Sequence, residues 1–266
     1  MRLVAVGTGT VVPERNRGCT CFYLESEGSR LLLDCGSGAV QGLARCSLAW
    51  QSLTDLVVTH FHTDHVGAIP GLLFALKHGM RPRRREPLDV WGPRGTRRLF
   101  AALAEALGEF ILDPGFPLRI HELSVDAPGR TAGGLEVAVH GTPHTEESQA
   151  VRIRGKGATV AYTGDTGLPE GTAEALGAFL RGVDVLVAEC SLTDEEVGDN
   201  HLSPARLADL ALEARPGLLW ITHVYPHVRA RHDVAELVRS AGYEGTLRVV
   251  EDGDEWGRSD RSLIPA

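Results

Sequence analysis

The stretch Thr54–Leu73, TDLVVTHFHTDHVGAIPGLL, decides how the rest of the chain is read. An apolar run of strand length ends at His60, and three histidines and an aspartate then fall between His60 and His65. In extended backbone, side chains two residues apart point to the same side. His60 and His62 therefore aim two imidazoles at one point. Asp64 and His65 follow where the chain should turn into the next helix, and they aim at a second point nearby. Imidazole and carboxylate are ligands for borderline cations such as zinc. A surface loop needs no such crowding. Further ligand types stand just after other apolar runs: His140 and His144 in HGTPHTEES, Asp165 in AYTGDTG, His223 and His227 in LLWITHVYPH. Loops at one edge of a sheet converge in space, so these residues are candidates to complete the site.

The totals suit a globular, metal-binding chain. Of its 266 residues, 43% are hydrophobic and 23% charged. No apolar run approaches the roughly 20 residues that span a bilayer. Met1-Arg2 leads straight into a short strand, without the apolar segment of a signal peptide, so a cytoplasmic protein with no membrane partner is expected. The net charge of −8 gives no general attraction for nucleic acid. One segment runs the other way: Lys77, Arg81, Arg83, Arg84, Arg85, Arg94, Arg97 and Arg98. It reads as a solvated loop and helix face, with a positive rim for a phosphate-bearing substrate as the sharper alternative. Five cysteines, an odd number, in a chain without an export signal are expected to be free thiols.

Strand and helix patterns alternate along the chain. RLVAVGTG, CFYLES, SRLLLDCG, TDLVVTH and PLDVWG read as strands, the second and third as a hairpin around Glu27-Gly28. SGAVQGLARC, AIPGLLFALKHG and GTRRLFAALAEALGEF read as helices, with Pro70 in a first turn and Gly79 as a stop. From about residue 118 come PLRIHELS, LEVAVHGTPH, QAVRIRG, ATVAYTGD, VDVLVAEC, LLWITH and TLRVVED as strands. The helices GTAEALGAFLRG, SPARLADLALEA (capped by Ser203) and RHDVAELVRSAG lie between them. No linker or repeat divides the chain. A single α/β domain over 1–266 is expected, with similar halves of about 1–117 and 118–266. Its two mixed sheets should pack face to face with helices outside. Gly36, Gly38 and Gly42 follow a strand with GxGxxxG rather than dinucleotide-loop spacing, and read as a structural turn.

HxHxDH, a later lone histidine, the GDT aspartate and the TH histidine resemble the metallo-β-lactamase fold, an αββα sandwich. GTGTVVPERNRG, LLLDCGSGAVQGL, DHVGAIPGLL and VWGPRG are similar to the ribonuclease Z-like branch, although Ser37 stands where glutamate is usual. The resemblance covers nearly the whole chain. It implies one metal held by His60, His62 and His144, a second held by Asp64, His65 and His223, and Asp165 bridging both. A hydroxide between the ions would be the nucleophile. Zinc is the expected metal, with manganese or iron as alternatives. A third histidine at His62 favours hydrolysis over the electron transfer of diiron relatives, which carry glutamate there. The resemblance also implies that His201, in DNHLSPARL, acts near the leaving group, so it is counted with Asp64 as catalytic. Asp34 is a candidate to orient a ligand, or a capping acid. His78, His121 and His232 read as surface or helix-end residues.

One departure matters. In ribonuclease Z a long arm that grips tRNA lies between the third-motif histidine and the bridging aspartate, whereas here His144 and Asp165 are 21 positions apart. A small or cyclic phosphodiester is therefore the expected substrate, nucleic acid is not favoured, and a homodimer is in keeping with the resemblance. The alternatives are a tRNA 3′-processing endoribonuclease, a thioester or lactone hydrolase of the same fold, a mononuclear iron dioxygenase and a non-catalytic metal-binding domain.

Overall fold

A computed structural model describes residues 1–26, 28–125 and 127–257. Strands β1 (Arg2–Gly7), β2 (Cys21–Ser26), β3 (Ser29–Leu33), β4 (Asp55–Val57), β5 (Leu88–Gly92) and β6 (Leu118–Glu122) form one sheet in that order. The last strand, β14 (Glu255–Gly257), pairs with the outer edge of β1. The second sheet holds, in order, β7 (Gly129–Arg130), β8 (Glu136–Gly141), β9 (Gln149–Arg154), β10 (Thr159–Tyr162), β11 (Val185–Glu189), β12 (Leu218–Thr222) and β13 (Leu247–Val249). Each sheet joins an antiparallel meander to four parallel strands, β3 to β6 in one and β10 to β13 in the other.

Strand alternation makes three apolar layers. In β4, Val57 faces the other sheet, among Phe22, Tyr162 and Trp220, while Leu56 faces outward. The outward face of the first sheet is covered by α1 (Ala39–Arg45), α3 (Ile69–His78) and α4 (Thr96–Leu107), which follow the single turn α2 (Thr63–Val66) or flank it. The second sheet is covered by α5 (Ala173–Leu180), α6 (Pro204–Ala214) and α8 (Val234–Ser240), with the short α7 (Pro226–Arg229) between the last two. Each fully buried Leu, Val or Phe in these layers stabilises the fold by about 1.5–3 kcal/mol. This is the expected αββα sandwich. Among the described residues no helix is long and apolar enough to cross a membrane.

Several details differ from the sequence reading. The chain crosses between sheets after β6, not before it, because α4 returns the chain to the free edge of β5, where a parallel strand can add. Ser203 has the extended backbone of an N-cap, but its side chain makes no cap bond; Asp194 Oδ1 accepts from Ala205 N at 3.1 Å instead. The basic segment is split by β5. Arg84 is 3% exposed, and its guanidinium donates to the carbonyls of Gln51, Leu53, Glu86 and Pro87. It therefore closes a turn and is not part of a rim. Glu27, at the expected hairpin tip, lies outside the described residues. Gly36 does serve a structural turn: a Cβ there would lie 2.0 Å from the Asp64 carbonyl.

Candidate metal centre

The parallel strands β4, β10, β11 and β12 all end at one edge, and β8 ends beside them. Glu189 closes β11, and His60, Asp165, His223 and His144 follow the ends of β4, β10, β12 and β8. After β4 the chain bends at Thr59, is extended at His62 (φ −63°, ψ 148°) and then makes the turn α2. That change of conformation sends His60 and His62 one way and Asp64 and His65 another, as the spacing predicts. His223 and Asp34 both sit in the left-handed region, at φ 56° and 57°. For residues other than glycine this costs about 1–3 kcal/mol each and persists only where the surroundings hold it.

The side chains converge on Asp165. His60, His62, His144 and Asp165 offer ligand atoms within 4.8 Å of one another, and so do Asp64, His65 and His223. Asp165 lies 3.3 Å from His65 Nε2, 3.6 Å from His223 Nε2, 3.8 Å from His144 Nε2 and 3.9 Å from His60 Nε2. His223 Nε2 is also 3.3 Å from Asp64 Oδ2. Two ligands about 2.05 Å from one tetrahedral ion stand roughly 3.3 Å apart, so this spacing suits donors that share cations. Three buried atoms, His60 Nε2, His65 Nε2 and Asp165 Oδ1, have no hydrogen-bond partner. Orphaned polar atoms facing one point are expensive unless something positive lies there. The donor set therefore fits divalent cations.

Titration reflects the same crowding. Burial, with His65 beside it, pushes the His60 imidazole down to about 2. Burial opposes charge on His65 as well, but Asp165 and Asp34 outweigh it and hold its pKa well above the ordinary value. Asp64 is resisted by burial, yet His223 and His65 bring it down to about 2.

A ring of partners fixes the far nitrogens. Buried Asp34 accepts from Thr59 N and Oγ1, both at 2.8 Å, and from the Tyr162 hydroxyl at 3.0 Å. Its fourth donor is His65 Nδ1 at 2.7 Å. His144 Nδ1 donates to the Asn200 carbonyl at 2.7 Å. Fully buried Glu189 receives His201 Nδ1 at 2.9 Å, Thr166 N at 2.8 Å and the Ser191 hydroxyl. A carboxylate only accepts, so Ser191 spends its one proton on Glu189 and accepts from His223 Nδ1 at 3.0 Å. Glu189 thereby sets His201 directly and His223 through Ser191, leaving each Nε2 turned away. Burial works against charge on His201, but Glu189 prevails and its pKa is raised.

An open cavity of 400 Å³ exposes this edge, lined among others by Val11, His144, His201 and Tyr225. All seven expected ligands and His201 meet here. His140 bonds Gly141 O and His227 bonds Glu196, so neither rival joins the cluster. His121 keeps 37% of its side chain exposed, and it stacks on Trp91 and bonds Asp89 at 2.7 Å. Sequence reasoning missed Glu189 and Ser191, though an acid closing the apolar run VLVAE was a usable signal.

Comparison with known proteins agrees. The family described as "Beta-lactamase superfamily domain" matches residues 29–224, and the chain belongs to it. The ribonuclease Z of Mycobacterium avium is 29% identical over 278 residues and spans 97% of both chains. That of Methanosarcina mazei is 29% identical over 279 residues, with 84% of this chain and 87% of the relative covered. Among solved structures, the metallo-β-lactamase fold protein YhfI of Bacillus subtilis superposes with a TM-score of 0.80 at 22% identity, covering 96% of this chain and 98% of that one. Human tRNase Z, short form, gives 0.72 at 22% identity over 97% and 99%. The chain is a ribonuclease Z-like, metal-dependent hydrolase.

Proposed function

We propose that the chain is a dinuclear phosphodiesterase. One cation would be held by His60, His62 and His144, the other by Asp64, His65 and His223, with Asp165 between them. Zinc is the expected metal for so imidazole-rich a set, with manganese or iron as alternatives. When bound, a pair of divalent cations lowers the pKa of water and neutralises charge on phosphoryl oxygens. The residues do the rest. Asp34, Glu189 and Ser191 keep the ligand rings in the tautomer that leaves Nε2 free. The raised pKa of His201 keeps a proton on a ring that faces the cavity, where it can pass to a departing alkoxide. Val11 and Tyr225 line the mouth of the cavity, where a substrate would enter.

The observation that carries this reading is Asp165, whose carboxylate stands within 4 Å of imidazoles from both clusters. A small or cyclic diester was expected because the chain lacks a tRNA-gripping arm. That argument is weakened by the Mycobacterium avium ribonuclease Z, because the length of the alignment leaves no room for a long insertion in it. RNA therefore stands beside small diesters as a substrate. The test is metal content per chain together with turnover of bis(p-nitrophenyl) phosphate. About two metals with diesterase activity, both lost in Asp165→Ala, is the expected result. Two metals with only thioester or lactone turnover would favour the acyl hydrolase, and a single iron with oxygen uptake would favour the dioxygenase.

A further inference from the structure

A second cavity of 560 Å³ adjoins the metal cavity, and Phe61 lines both. Phe61 lies between the ligands His60 and His62 in the chain, so this cavity opens directly beside the reacting centre. Its other wall is the turn from β5 into α4, with Arg94 and Arg98 exposed. Gly95 holds this turn at φ 102°, and any Cβ there would meet the Phe61 ring at 3.2 Å. The backbone donors Gly95 N and Arg97 N are already taken by Glu122 Oε1, at 3.0 and 3.1 Å. What the turn has left to offer the cavity is the guanidinium groups of Arg94 and Arg98.

Among the described residues, neither guanidinium makes an ion pair or a hydrogen bond. That is unusual in a chain of net charge −8, the more so because Glu146 and Glu147 line the same cavity. Glu147 is turned towards the Phe61 amide, 3.4 Å away. Of the basic residues between Lys77 and Arg98, Lys77 and Arg81 bond backbone carbonyls and Arg84 is buried. Arg83 and Arg85 lie before β5, at the opposite edge of the sheet. Arg97 is exposed too, but it does not line the cavity, so among the described residues of this segment Arg94 and Arg98 are the unpaired cations that do. A guanidinium fork matches a phosphate's oxygens.

Building on the phosphodiesterase reading, we propose that Arg94 and Arg98 form a subsite for a second phosphate of the substrate. The substrate is then a diester that carries a further phosphate, and not an isolated diester with uncharged flanks. Two sources share this chemistry: the next phosphate along an RNA strand, and the terminal phosphate of a small phosphorylated cyclic diester.

The test is binding of uridine 3′,5′-bisphosphate against uridine 3′-monophosphate by calorimetry, on the metal-loaded protein. The bisphosphate should bind about tenfold or more tightly, and Arg94→Gln/Arg98→Gln should abolish that difference while leaving the monophosphate unchanged. No preference in the parent protein, or a preference that survives in the double variant, would overturn the subsite. Bis(p-nitrophenyl) phosphate turnover, which needs no second phosphate, should be the same in both proteins. Its absence from the parent would count against the phosphodiesterase reading alone, because the binding comparison needs no turnover. Turnover of pUpU against the 5′-phosphate of uridine 2′,3′-cyclic phosphate then separates the two sources.

Discussion

His65 Nδ1 lies 2.7 Å from Oδ2 of Asp34, and neither side chain has exposed surface. Asp34 accepts four donors, which only a carboxylate can do. An asparagine would set an amide N–H against at least one of them. The way for His65 to relieve this is to change tautomer, which turns Nε2–H towards the centre. Asp34→Asn should therefore weaken metal binding by about 10–100-fold, read by competition with a chelator. Unchanged affinity would mean that Asp34 serves the fold only.

His201 and Ser191 separate two kinds of support. His201→Ala should retain both metals and lower turnover by about tenfold or more. Ser191→Ala should instead lower metal affinity, because His223 Nδ1 loses its acceptor, and Ser191→Thr should restore it. Equal metal loss in the His201 and Ser191 alanine variants would refute this division.

Gly36→Ala tests how closely the turn after β3 approaches the ligand loop. The new Cβ meets the Asp64 carbonyl at 2.0 Å and the Cys19 Cβ at 2.8 Å. Overpacking of this kind costs about 1–3 kcal/mol. The lowered melting temperature should come with lost metal, since Asp64 must move. A variant with full metal content would show that the loop yields elsewhere.

Asp55 offers a pH test far from the centre. Burial raises its pKa, bonds from Thr54 and Trp91 work against that rise, and Asp89 adds to it. The folded state thus holds this proton more tightly than the unfolded chain. Its contribution to stability is present below the ordinary carboxylate pKa and is lost as pH rises through the folded value. Asp55→Asn should flatten the decline in melting temperature between pH 4 and 7 while keeping an acceptor for Trp91. A variant melting several degrees lower at pH 7 would show that the charge itself is needed.

The sequence made the ligands readable because each is a chemically rare residue at a strand end, and strand ends share an edge. The same logic placed both sheets and most helices. It failed where long-range pairing decides. Nothing local in GDEWGR says that its strand will pair with β1, and nothing in LRIHE says which sheet it joins. It failed, too, where the chemistry is ordinary: Ser191 and Thr59 matter only because the fold places a carboxylate beside them. The stacking of His121 on Trp91 and its bond to Asp89 were equally out of reach, because both partners lie on another strand.

The pairing of β14 with β1 sets Val4 against Glu255, 251 positions later. Asp252 then accepts from Thr8 N, Thr8 Oγ1 and Gly18 N, and the Thr8 carbonyl accepts from His223 N at 3.2 Å. The loop that carries Val11 to the cavity is thus tied down by a residue made 244 positions after Thr8. At about 5–20 residues per second, a growing chain would wait roughly 12–50 s between making β1 and making its partner. Throughout that interval the outer edge of β1 stays open to strands of other chains, so it is on the ribosome, more than in the finished molecule, that this fold is most exposed to aggregation.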